Sequence, residues 1–253
     1  MLTNGTLLNK EIIKKMINIK WDELIVSIDG PSARYNDKIR GTGTFTKIIR
    51  NLKILNRIKK EKNFLIPDIH INIVITNVNY KVLHRMIFLA KKYGVTKVIY
   101  HNFFPVNPSL LLNEQQKVVA IKNLEKAMHI ANKFGIHTNA SFIKNVINNQ
   151  KLRRGHLCFA PWRYCVVSFN GDVYSCCQRQ NKMGNINKES IFSIWNNKKY
   201  KQLREKFKDR GGIGCGYYPP ADDILNIAIE DFLNNNFLNF LSDIKSLHEF
   251  GFI

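Results

Sequence analysis

Glu23-Leu24-Ile25-Val26-Ser27-Ile28-Asp29-Gly30-Pro31 decides the fold. Its β-branched run reads as a strand, and Asp-Gly-Pro closes it with turn chemistry. Two segments repeat the pattern, Ile69 to Thr76 and Lys97 to Phe104, with a weaker fourth at Ile136 to Thr138. Between them, Asn9 to Ile19, Phe45 to Lys62, Tyr80 to Tyr93 and Glu114 to Phe134 carry apolar residues at three- and four-residue spacing. Gly94 and Gly135 stand as helix stops. Short strands alternating with helices specify an α/β fold, a parallel sheet with crossover helices. Such sheets carry their binding residues on loops at the C-terminal ends of strands. Here those loops hold Asp29-Gly30-Pro31, Asp37 to Arg40-Gly41 and Asn102 to Pro105, while the polar Asn72 interrupts the middle strand.

From about Gly155 the pattern changes. All five cysteines, Cys158, Cys165, Cys176, Cys177 and Cys215, lie in the last 100 residues of this 253-residue chain. An odd count with no export signal argues against a disulfide framework and for metal or cluster ligation. Phe169-Asn170-Gly171-Asp172 marks a tight hairpin between the cysteines. Closing it brings Cys158, on the entry side, toward Cys176 or Cys177 on the exit side. Residues 190 to 209 read as one or two helices, and Asp223 to Phe250 as an amphipathic tail. Three parts result: 1–150, 151–220 and 221–253.

The composition, 45% hydrophobic and 23% charged, is that of a soluble globular protein. No apolar run reaches membrane-spanning length, so the expected location is cytoplasmic, with no membrane partner. The net charge of +20 raises the question of nucleic acid. The lysine pairs at 14–15, 59–60, 91–92 and 198–199 are spread over apparent helix faces, however, and a solvated surface is the expected reading.

Several ordered elements resemble a known family. Cys158 with Pro161-Trp162, Gly171-Asp172-Val173 leading into Cys176-Cys177, Met183-Gly184-Asn185-Ile186, Ser190-Ile191-Phe192 to Ile194-Trp195, and Cys215 follow the order of the SPASM domain, which succeeds the catalytic barrel in many radical SAM enzymes. Thr3 to Leu8 resembles the end of that barrel's third strand, and Val26 to Gly30 with Asp37 to Gly41 its fourth strand and loop. The resemblance implies a partial parallel (β/α) radical SAM barrel followed by a small SPASM- or twitch-like module with a β-hairpin and helices.

It also implies one auxiliary 4Fe-4S cluster on Cys158, Cys176 and Cys215, completed by Cys165 or Cys177, or left with an open position. A decayed site that binds nothing is a further alternative, and zinc in a tetrahedral thiolate site is the competing metal. The family pattern has a cysteine shortly after Cys215, where this chain has Gly216-Tyr217-Tyr218. Burial as a small hydrophobe is the alternative role for Cys165.

For S-adenosylmethionine and substrate, the resemblance points to Asn4, Ser27, Asp29, Arg40 and Asn72, each with a plainer role in a turn or as a core amide. Relatives use a C-x-x-x-C-x-x-C motif to bind a first cluster and cleave S-adenosylmethionine to a 5'-deoxyadenosyl radical. No cysteine precedes Cys158 here. The expectation is therefore a radical SAM/SPASM protein, N-terminally truncated, whose intact relatives modify peptides or other substrates. The alternative is a non-catalytic remnant or binding subunit that docks a peptide, the missing barrel portion or a partner chain.

Overall fold

Leu24, Val26 and Ile28 occupy every second position along β2 (Glu23–Ser27) and beyond it, and all three are fully buried. In the computed structural model, which describes residues 1–102, 108–148, 160–176 and 181–208, the chain divides into two compact units, Met1–Gln150 and Lys151–Ile253.

The first unit is a five-stranded, wholly parallel sheet in the order β1-β2-β3-β4-β5, with β1 Leu2–Thr3, β3 Asp68–Ile75, β4 Lys97–Asn102 and β5 His137–Thr138. Helices α1 (Lys10–Asn18), α2 (Ala33–Arg40), α3 (Thr44–Glu61), α4 (Arg85–Lys92), α5 (Glu114–Phe134) and α6 (Ala140–Asn148) connect or follow the strands. Strand register sets Val26 opposite Ile71 and Ile71 opposite Val98. That row lies in one core with Ile13, Leu52, Met86 and Leu124. The alternate row, with Ser27 opposite Asn72 and Val74 opposite His101, is only half-buried. Ser27, Asn72 and His101 lie on that face.

Local chemistry fixes the helix ends. Asn9 accepts from the Ile12 amide at 2.9 Å to start α1. Asn113 and Gln116 form a reciprocal capping box at α5, which ends on Gly135 at φ +65°. Two expectations are corrected. The helix expected from Tyr80 begins at Arg85, because residues 79–86 are held by three-residue turns such as Val82 N–H to Asn79 C=O at 2.9 Å and Arg85 N–H to Val82 C=O at 3.0 Å. Residues 37–40, read as loop, complete α2, whose one buried residue is Asn36. No apolar stripe marks that helix in the sequence. The strand expected to reach Phe104 is described to Asn102, and the rest of that segment and the tail from Asp223 to Phe250 lie outside the described residues.

Asp37 builds the joint between α2 and α3. Its carboxylate accepts from the Gly43 and Phe45 amides at 2.8 and 2.9 Å and from Asn36 Nδ2 and Thr44 Oγ1, each at 3.1 Å. Burial acts to raise its pKa, but the donors prevail and hold it below the ordinary value of 3.8. A depressed carboxylate contributes stability that is complete above the unfolded pKa and is lost as pH falls through the folded one. Asp37→Ala is therefore expected to lower the melting temperature at pH 7. Thermal scans should show the gap to wild type closing below about pH 3.

In the second unit, β6 (Val166–Val167), β7 (Asp172–Tyr174) and β8 (Lys182–Asn185) form an antiparallel sheet, preceded by α7 (Ala160–Arg163) and followed by α8 (Ile191–Asn196) and α9 (Lys198–Lys208). The β6–β7 turn requires Gly171, which sits at φ +83° and whose absent Cβ would fall 2.6 Å from Asn187 Nδ2. Val173, Met183, Ile194, Tyr200 and Leu203 form the core, with Cys165 and Trp195 packed against it.

Candidate functional site

Asp29 is the one buried carboxylate among the described residues of the first unit. It lies just past the C-terminal end of β2 and is 2% exposed. Its own amide donates to Asn36 Oδ1 at 3.0 Å, and its carbonyl accepts from Asn79 Nδ2 at 2.8 Å. One carboxylate oxygen accepts from the Val74 amide at 2.8 Å, and the other pairs with Arg40 Nε at 2.7 Å. Next to it, an added Cβ on Gly30 would stand 2.4 Å from Tyr35 Cβ and 2.7 Å from the Asn36 amide, so the turn admits no side chain. Burial lifts the Asp29 pKa, opposed by Arg40, by the Val74 bond and by His101.

Around this pair lies a cleft of about 300 Å³ lined by Asn4, Thr6, Asp29, Arg40, Thr44 and Thr76, with apolar walls including Ile48 and Val74. Of the five residues singled out from the sequence, the fold brings Asn4, Asp29 and Arg40 to this cleft. Asn4 also closes its own turn, accepting from the Thr6 amide and hydroxyl at 3.1 and 2.9 Å. Ser27 and Asn72 are register partners on the half-buried sheet face and do not line the cleft. Sequence reading missed His101, the β4 register partner of Val74, whose amide donates to Asp29. Burial lowers its pKa while Asp29 acts to raise it, and its Nε2 is buried without a hydrogen-bond partner among the described residues. It also missed Asn36 and Asn79. Nothing in a linear pattern shows that these amides fold back onto Asp29.

The second site is the cysteine module. Cys158, Cys177 and Cys215 lie outside the described residues. Cys165, just before β6, and Cys176, just after β7, are both half-buried and not joined in a disulfide. The hairpin pairs Val166 with Tyr174, which carries the two cysteine-bearing ends into one neighbourhood. Tyr200 registers both thiols: its hydroxyl pKa is pushed up to about 12, first by burial and then by Cys165, with Cys176 adding and Arg204 opposing.

Two donors here lack acceptors. Tyr200 Oη and Arg204 Nη2 are buried with no hydrogen-bond partner among the described residues. Stranding such a group costs about 1–3 kcal/mol. Tyr200 shares its core with half-buried Cys165, and buried donors of this kind fit a thiolate-ligated anionic cluster, whose sulfurs accept hydrogen bonds.

The family models agree with both halves. The radical SAM superfamily model matches residues 1–90, and that of SPASM, an iron-sulfur cluster-binding domain, matches residues 158–215. The chain belongs to the radical SAM superfamily and carries its SPASM domain. The cofactors these domains imply are 4Fe-4S clusters and S-adenosylmethionine.

Among curated relatives, the chain is similar to the AdoMet-dependent heme synthase of Methanosarcina barkeri, at 26% identity over 86% of this chain and 66% of that protein. It is also similar to the mycofactocin maturase MftC of Mycolicibacterium smegmatis, at 25% identity over 85% and 55%. The chain thus spans between about half and two thirds of the length of these relatives.

Among solved structures, Streptococcus suis SuiB superposes with a TM-score of 0.60 at 16% identity, covering 81% of this chain and 50% of that one. The structure of anSMEcpe with bound AdoMet gives 0.58 at 17%, covering 79% and 57%. SuiB has also been solved bound to its precursor peptide SuiA, with a TM-score of 0.54 at 14% identity, covering 80% and 48%. At these identities the likeness is one of fold: part of the parallel radical SAM sheet with its helices, then a small module with an antiparallel hairpin.

Proposed function

We propose that this chain uses residues 151–220 to hold one auxiliary 4Fe-4S cluster and residues 1–150 to bind S-adenosylmethionine and present a peptide-class substrate, with 221–253 as an appended tail. The observation that carries the cluster reading is that half-buried Cys165 packs against the core of Tyr200, on which Arg204 stacks, while Tyr200 Oη and Arg204 Nη2 are buried with no acceptor among the described residues and Cys176 lies at the other end of the same hairpin. Cys158, Cys176 and Cys215 are the assigned ligands, with the fourth from Cys165 or Cys177. Thiolates suit iron because they are soft and carry the negative charge that the cluster disperses. When bound, the cluster supplies a one-electron centre and a Lewis-acidic iron.

In the cleft, the chain's own groups match the zwitterionic end and hydroxyls of S-adenosylmethionine. Asp29 offers an anionic acceptor held by four partners, Arg40 a cation, and Asn4, Thr6, Thr44 and Thr76 neutral polar groups. Ser27 and Asn72 extend that polar face along the sheet. The peptide class follows SuiB, whose structure contains a precursor peptide. Among the described residues no helix is long and apolar enough to cross a membrane.

Anaerobic reconstitution with iron and sulfide tests the cluster reading. Retained iron and sulfide with a broad visible absorption support it, and a colourless chain free of both contradicts it.

A further inference from the structure

Two polar groups in the second unit are placed more rigidly than its core requires. The Tyr200 ring is fully buried, with its centroid 5.0 Å from that of Trp195 and 4.8 Å from the Arg204 guanidinium carbon. Arg204 also lies 4.6 Å from the Trp195 ring and is fixed by two backbone acceptors, Nε to Pro161 C=O and Nη1 to Trp195 C=O, each at 3.0 Å. Those bonds hold the guanidinium against the two aromatic rings. Its third nitrogen, Nη2, and the Tyr200 hydroxyl are buried without an acceptor among the described residues. Cys165 packs against the same core as Tyr200. A core that needed only volume would be served as well by Phe at 200 and by an aliphatic residue at 204.

We infer that Tyr200 Oη and Arg204 Nη2 donate hydrogen bonds to the sulfur atoms of the cluster held by this module, and so raise its reduction potential. The inference rests on the cluster reading above and adds to it the residues that set the potential. Reduction adds one electron and makes the sulfurs stronger acceptors, so a donor or a cation beside them stabilises the reduced form more than the oxidised one. Hydrogen bonds to the sulfurs are among the factors that spread cluster potentials. No proton changes hands: the donors keep their hydrogens in both oxidation states.

The test uses the full 253-residue chain and its Tyr200→Phe and Arg204→Met variants, reconstituted anaerobically and titrated with dithionite under paramagnetic-resonance detection. With iron and sulfide contents equal to wild type, both variants are expected to have more negative midpoint potentials. For Tyr200→Phe the expected change is about tenfold in the reduced-to-oxidised ratio at fixed potential, or about 59 mV for a one-electron couple. The apo form of Tyr200→Phe should melt at or above the wild-type temperature, since the change removes a stranded hydroxyl.

Fully loaded variants with unchanged potentials overturn the inference. So does an apo Tyr200→Phe chain that melts below wild type, because the hydroxyl would then already have a partner. If Arg204→Met fails to load, Arg204→Lys retains the cation without the fixed donor, and Tyr200→Phe decides the matter. A wild-type chain that takes up neither iron nor sulfide refutes the cluster reading itself, and this inference with it.

Discussion

Asn79→Ala is expected to destabilise the first unit by about 3 kcal/mol, far more than its single side chain would suggest. The Asn79 amide is 1% exposed and bonds three backbone groups at once. Nδ2 donates to the Asp29 and Val74 carbonyls, both at 2.8 Å, and Oδ1 accepts from the Thr76 amide at 2.8 Å. Truncation strands all three backbone groups where little water reaches them. Each stranded group costs about 1 kcal/mol or more, and an alanine-sized gap gives them no substitute. For a unit of this size the melting temperature should fall by roughly 6 to 12 °C, read from circular dichroism. The same change frees the Asp29 carbonyl, so the cleft around Asp29 and Arg40 should loosen with it. A loss under 1 °C would show that Asn79 is not the clamp described here.

Cys176→Ala should reduce the iron and sulfide retained after anaerobic reconstitution by at least about tenfold, because losing one thiolate from a closed four-ligand site exposes iron to water and to chelators. Cys176 lies two residues past β7, the hairpin strand that pairs with the one following Cys165. The alanine change removes the sulfur and leaves the Val173–Tyr200 core in place. Iron and sulfide at wild-type levels in this variant would remove Cys176 from the ligand set.

What the sequence made legible follows from physical cause. The branched runs of β2, β3 and β4 are short and flanked by turn residues, so period and punctuation agree. The limits of α5 were legible because Asn113, Gln116 and Gly135 carry its caps in local chemistry. The early part of the helix expected from Tyr80 was misread because Val82, Leu83, Met86 and Ile87 are all buried, and turns can bury that spacing as readily as a helix. Helix α2 has no apolar stripe to read.

The candidate sites divide the same way. Asp29 and Arg40 stood out because strand ends in parallel sheets are where binding residues collect. Their supports, Asn36 and Asn79, and their neighbour His101 are polar residues whose burial depends on distant chain. In the second unit the cysteines declare themselves by order, while Tyr200 and Arg204 read as ordinary helix residues. Only packing shows that their polar ends are buried without acceptors among the described residues.

Native mass spectrometry of the anaerobically reconstituted 253-residue chain tests the central claim most directly. The account predicts a mass increase equal to one 4Fe-4S unit per chain. A chain that carries a single zinc ion instead, or that remains at its apo mass after reconstitution, would contradict it.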